Sequence, residues 1–216
     1  KSVGFRPFLV KEEKILLMAL ESDDQKQILN TVINTIKACV TEDIDTTRLT
    51  TFDIEYMFLK IRAKSVGETS TIVMKCNECE SSNDIALNID DVEIEVPDIS
   101  NTIELDNQIS LEMKWPTFDN IVKDDILSSE SSVDQIFGLI RSSIDVIKTN
   151  EERFSAKDQT AQELDSFIES MNNQQFTKVR EYVEKMPKLT HDVAFTCKKC
   201  NHQNNIVVEG MQSFFS

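Results

Sequence analysis

VMKCNECESSNDIALNI (residues 73–89) and AFTCKKCNHQNNIVVEG (residues 194–210) repeat one another, and the repetition decides how the chain is read. In each copy an apolar residue, Val73 or Ala194, precedes a CxxC pair. An apolar alternation then follows at the same offset, Ile85 with Leu87 in the first copy and Ile206 with Val208 in the second. A period of two marks a strand with one buried face. A CxxC pair between two such runs sits on the tight turn of a hairpin, and two such turns complete a tetrahedral four-thiolate site of the kind found in zinc ribbons. Cys76, Cys79, Cys197 and Cys200 are therefore expected to hold one structural Zn2+, leaving no coordination position for water or substrate.

Two disulfides, redox CxxC pairs and inert core cysteines are the competing readings. Disulfides require an oxidising compartment, and the opening residues KSVGFRPFLV lack the apolar stretch of a signal peptide. A thioredoxin-like pair expects one CxxC at a helix start. His202, two residues past Cys200, is an alternative ligand, although the duplicated pattern favours Cys200. Cys39 falls on the apolar face of a helix and reads as a core residue.

Outward from this repeat, residues 1–68 read as an N-terminal arm and a helical lobe. Pro7 pushes Arg6 into extended geometry. A short helix is expected over 11–21. Ser22, Asp23 and Asp24 offer a cap for a second helix to about Val40, whose apolar positions recur at three- and four-residue spacing. Thr51 opens a third, closed by Gly67.

The period changes to two over residues 69–115, in STIVMK, DIALNI, DVEIEV, NTIEL and ISLEMKW, with Asp106 and Asn107 turning a hairpin. After Pro116 the helical period returns. One face runs from Ile121 through Val133, Ile136, Phe137, Ile140 and Ile144 to Ile147, and residues 150–159 form an exposed connection. Thr160 with Glu163 has capping-box spacing, and a last helix ends before Pro187. The expected fold is α+β. It has a helical lobe (1–68), a small β-rich zinc-ribbon-like element of two CxxC hairpins (69–115 and 188–216), and a helical insertion between them (116–187).

The 216 residues carry 38 acidic and 23 basic side chains, a formal charge of -15. That excess repels a phosphate backbone and argues against nucleic acid as main ligand. A zinc-ribbon nucleic-acid adaptor, using Lys198 and Lys199, remains the alternative from another class. No apolar run approaches the roughly 18 residues that span a bilayer, so no membrane association is expected. Catalytic apparatus is missing from view. The only histidines are His191 and His202, and with four glycines there is no phosphate-cradling loop and no dinucleotide fingerprint. The expectation is a non-enzymatic protein. Phe5, Arg6 and Phe8 near the start, with Phe214 and Phe215 near the end, are candidate partner-docking residues, unless they fold back onto the chain's own core.

FRPFLVKEEKILLMALES, FDIEYMFLKIRAKSVGE with its CxxC soon after, and the closing KMPKL, FTCKKC and SFF resemble the baseplate hub subunit family of T-even-like contractile-tailed bacteriophages. The resemblance implies a structural or assembly protein of the tail baseplate hub, without catalysis. It implies other phage tail and baseplate hub proteins as partners, with self-association as a further option. It places the protein in the host cytoplasm during assembly, then either in the virion baseplate or, as an assembly chaperone, absent from the finished particle.

Overall fold

The computed structural model describes residues 3–21, 25–123, 126 and 131–210 and divides into two units. Unit 1 comprises Lys1–Thr46, Phe52–Val96 and Pro187–Ser216; unit 2 comprises Thr47–Thr51 and Pro97–Met186. The expected cap at Ser22, Asp23 and Asp24 lies outside the described residues.

Unit 1 begins with helices α1 (Val10–Leu20), α2 (Gln25–Cys39) and α3 (Thr51–Val66). The three- and four-residue spacing of α2 puts Val32, Ile33, Ile36 and Cys39 inside, and burial pushes the Cys39 thiol up. Among the described side chains of α1, Leu16 and Ala19 carry the apolar burial; Ile15, Leu17 and Met18 are exposed. Gly67, at φ 135, closes α3 with its N–H on the Ala63 carbonyl.

Strands β1 (Thr69–Lys75) and β2 (Ser82–Asn88) form one antiparallel hairpin, and β3 (Glu93–Glu95) follows. Late in the chain comes a second hairpin (Lys188–Thr196 with Gln203–Glu209), on whose first strand β3 pairs, Glu95 opposite Lys188. The chain therefore leaves for unit 2 and returns from it at neighbouring points of one ladder. Alternation buries Ile72, Met74 and Leu87 from the first hairpin and Leu189, Val193 and Val208 from the second. They form one core with Leu59 and Ala63 of α3.

Unit 2 holds a four-stranded antiparallel meander, β4 (Thr102–Glu104), β5 (Ile109–Met113), β6 (Ile144–Thr149) and β7 (Arg153–Ser155) in sequential order. Its helices are α4 (Phe118–Lys123), α5 (Ser132–Ser143), α6 (Ala161–Glu169) and α7 (Asn173–Glu184). The late hairpin is thus β8 (Lys188–Thr196) and β9 (Gln203–Glu209). Leu111, Ile140, Ile144, Ile168 and Val179 centre the unit 2 core. Trp115 stacks on Tyr182 with ring centroids 4.4 Å apart, and burial lifts the Tyr182 phenol to about 12.

The mixture of helix and sheet matches the expected class, but the boundary drawn at 115/116 differs from the observed division. Residues 97–115 are β-rich as expected, yet β4 and β5 pair with β6 in unit 2, not with the CxxC hairpins. The helical face expected to continue to Ile147 stops at Ser143, where the Ser142 and Ser143 hydroxyls donate back to the Leu139 carbonyl. Ile144, Val146 and Ile147 then run as an inner strand with little alternation. Within the connection expected over 150–159, Arg153–Ser155 adds as the edge strand β7. Asp106 does turn the β4–β5 hairpin without glycine, because its Oδ1 accepts from the N–H groups of Gln108 and Ile109. The Thr160 and Glu163 capping box forms at the start of α6.

Candidate metal centre

Each CxxC occupies the turn of a hairpin, at 76–79 between β1 and β2 and at 197–200 between β8 and β9. The turns share one set of backbone bonds. The Cys76 N–H donates to the Ser81 carbonyl at 3.0 Å, and the Cys197 N–H to the His202 carbonyl at 2.8 Å. The Glu80 N–H reaches the Cys76 carbonyl at 2.9 Å, and the Asn201 N–H the Cys197 carbonyl at 3.0 Å. Glu80 and Asn201 both take left-handed geometry, φ 56 and φ 59, which lets so tight a turn close. In both copies a backbone N–H also points at the first sulfur, Glu78 to Cys76 and Lys199 to Cys197, each at 3.4 Å.

The two turns meet sulfur to sulfur. Cys76 Sγ lies 3.6 Å from Cys200 Sγ, and Cys79 Sγ 3.7 Å from Cys197 Sγ; all four sulfurs fall within 4.8 Å of one another. Zn–S bonds of about 2.3 Å in a tetrahedron set sulfurs about 3.8 Å apart, so the spacing fits a metal of that size. It does not fit disulfides, whose sulfurs are bonded at about 2.05 Å. The sulfurs also crowd one another electrically. The Cys197 thiol is pulled down to about 5, first by the Ser81 hydroxyl and then by the N–H groups of Cys200 and Lys199. Burial opposes ionisation at Cys76, but the N–H groups of Cys79 and Glu78 and the Asn204 amide hold it below its ordinary value. Cys200 is pushed up to about 12. The His202 N–H favours its thiolate, but Cys79, burial, Cys76 and Cys197 outweigh it. Cys76 and Cys197 thus favour the thiolate, and a bound cation would favour it at all four sulfurs.

Two residues of the site went unread in the sequence. Asn83 and Asn204 are almost wholly buried, and each reaches across to the opposite turn. Asn83 Oδ1 accepts from the Lys198 N–H at 3.0 Å while its Nδ2 donates toward Cys197 Sγ at 3.8 Å. Asn204 Oδ1 accepts from the Asn77 N–H at 2.8 Å while its Nδ2 donates toward Cys76 Sγ at 3.6 Å. The signal was present, since both asparagines stand at the same offset from their CxxC. Ser81 lies 3.2 Å from Cys197 Sγ, whereas its counterpart His202 has an exposed side chain outside the sulfur cluster.

A sequence profile of the T4 bacteriophage base plate protein family matches residues 1–216. The chain belongs to that family. Searches of curated proteins and of solved structures give no match. Family membership implies association with other phage baseplate proteins and a place in the tail baseplate.

In this base plate protein the N-terminal arm is tied to its own unit. The Arg6 N–H donates to the Cys39 carbonyl, Phe5 bridges Val40, and the Phe8 N–H donates to Ser65 Oγ. The Arg6 guanidinium grips Glu12 at 2.9 Å, and with the Leu9 N–H it holds that carboxyl below its usual range. Phe5 is 37% exposed and Phe8 half-buried; Phe214 and Phe215 lie outside the described residues. No described helix is long and apolar enough to cross a membrane.

Proposed function

We propose that the chain is a non-enzymatic structural or assembly component of the baseplate hub, held in shape by one Zn2+ bound to Cys76, Cys79, Cys197 and Cys200 in a zinc-ribbon-like pair of hairpins. The observation that carries the metal reading is the meeting of two matched turns at four sulfurs with tetrahedral spacing. Bound zinc supplies charge neutralisation for the thiolates and a covalent-strength clasp, and four thiolates complete its coordination. Asn83 and Asn204 orient the turns, and residues 80–196 lie between the two halves. The clasp therefore fastens the β1–β2 hairpin to the β8–β9 hairpin, whose first strand β8 receives the chain on its return from unit 2 and pairs with β3, from which it departs.

Membership of a base plate family supports the assembly role, and the hub as its position rests on the motif resemblance. Co-expression with the hub and tail proteins of the same phage tests it. At least one of them is expected to co-purify with the zinc-bound chain, and recovery of none contradicts the reading. Quantifying the chain in finished particles and in assembly intermediates separates a resident component from a departing chaperone.

A further inference from the structure

The likeness of the two hairpins extends beyond their turns. The Ile89 N–H donates to the Glu68 carbonyl at 2.7 Å, and at the same place in the second copy the Gly210 N–H donates to the Leu189 carbonyl at 3.0 Å. The ladders have one register, Thr69 opposite Asn88 and Thr190 opposite Glu209. β1 therefore corresponds to β8, and β2 to β9. Their outer edges differ. β8 carries β3 there, with Ile94 opposite Leu189 and packed on the unit 1 core. Among the described residues β1 pairs only with β2, and β9 only with β8. The repeat also breaks where the first copy turns toward β3. Ile89 enters a 3-10 turn, whereas Gly210 takes φ 75.

A groove of about 400 Å³ runs between β1 and β9, lined by residues 72–75 and 206–209. Consecutive strand residues point to opposite faces, so a wall of four consecutive residues is a strand edge, with backbone N–H and C=O groups turned sideways into the groove. Val73 and Val207 flank it, 61% and 54% exposed. Lys75 and Glu209 are the only charges in the lining, and Glu209 is paired with Lys188. Proteins usually shorten, charge or cover such an edge.

We propose that this groove receives one extended strand of another base plate protein, basic or uncharged, with apolar residues at alternate positions, adding antiparallel to β1 as β3 adds to β8. The ladder supplies affinity and the valines select the alternation. Charge sets the sign, because a formal charge of -15 repels an acidic strand and draws in a basic one. The partner's origin rests on the assembly reading above; the site itself does not.

The test titrates the base plate proteins of the same phage, produced singly, onto the full zinc-bound chain while backbone amide exchange is followed. One of them is expected to slow exchange in β1 and β9 by about tenfold or more. The Val73→Lys, Val207→Lys double variant is expected to weaken that partner about tenfold or more, with zinc content and thermal midpoint unchanged. Val133→Lys, at an exposed position of α5, is expected to change nothing. A partner that binds without altering β1 exchange, or binds the double variant at full affinity, overturns the strand proposal and leaves the assembly reading standing. Binding by none of them overturns both. β1 protection in the chain alone that disappears on deleting residues 211–216 assigns the edge to the chain's own terminus and overturns the proposal. Protection that grows with the concentration of the chain alone assigns it to a second copy, with the same consequence. The exchange measurement needs no variant, so poor folding of the double variant leaves it decisive.

Discussion

The two units are held together by different means. Unit 2 draws its sheet and core almost entirely from one unbroken stretch, Pro97–Met186, with strands paired in sequential order, so each contact follows from a short connection. Unit 1 is assembled from three stretches, and its hairpins belong to sheets of only two and three strands. A lone hairpin is marginal in water, and joining two across so long an intervening chain carries a loop-closure cost that a cross-link offsets. Apolar packing suffices where neighbours in space are neighbours in sequence. Where they are not, four sulfurs meet and a metal fits.

The largest expected effect breaks this contrast at its source. Cys76→Ser or Cys197→Ser is expected to abolish metal binding and remove amide protection from both CxxC hairpins, because binding energy in such sites is folding energy. Unit 2 should keep its protection, and metal analysis with exchange resolved by segment reads both. Ile140→Ala runs the contrast in reverse. Emptying a fully buried site in unit 2 should cost about 2–5 kcal/mol there, measured by denaturant unfolding, with metal stoichiometry unchanged.

Asn83→Ala and Asn204→Ala sharpen the account of the site. Each strands a backbone N–H of the opposite turn, at about 1–3 kcal/mol, and each should weaken metal binding by about 10–100-fold in competition with a chelator. The repeat makes the two substitutions equivalent; a loss confined to one would break that equivalence. The smallest effect belongs to Asn172, whose side chain caps α7 by accepting from the Gln174 and Gln175 N–H groups. Asn172→Ala should lower the thermal stability of unit 2 by about 1 kcal/mol and leave the metal untouched.

The sequence exposed the cysteine constellation because a CxxC between alternating runs has few other uses, and exposed the α6 start because Thr160 and Glu163 form a local signal. Longer-range features were hidden for physical reasons. Asn83 and Asn204 are polar residues in strands, where solvent exposure is the ordinary inference; only the tertiary meeting of the turns explains their burial. Ile144 and Ile147 keep helical spacing, yet β6 lies inside its sheet, and an inner strand buried on both faces loses the alternation that would reveal it. NTIEL and ISLEMKW showed themselves as strands, but alternation does not say which sheet a strand joins. Ile15, Leu17 and Met18 show the same limit, since apolar identity alone did not tell that α1 turns them outward.

The most direct test is titration of the reduced full chain with cobalt(II), then displacement by zinc. One cobalt per chain, with the absorption of a tetrahedral four-thiolate site that vanishes when zinc is added, is the predicted result. A folded chain that binds no metal while its four thiols stay free, or a spectrum showing a coordination position open to water, would contradict the account.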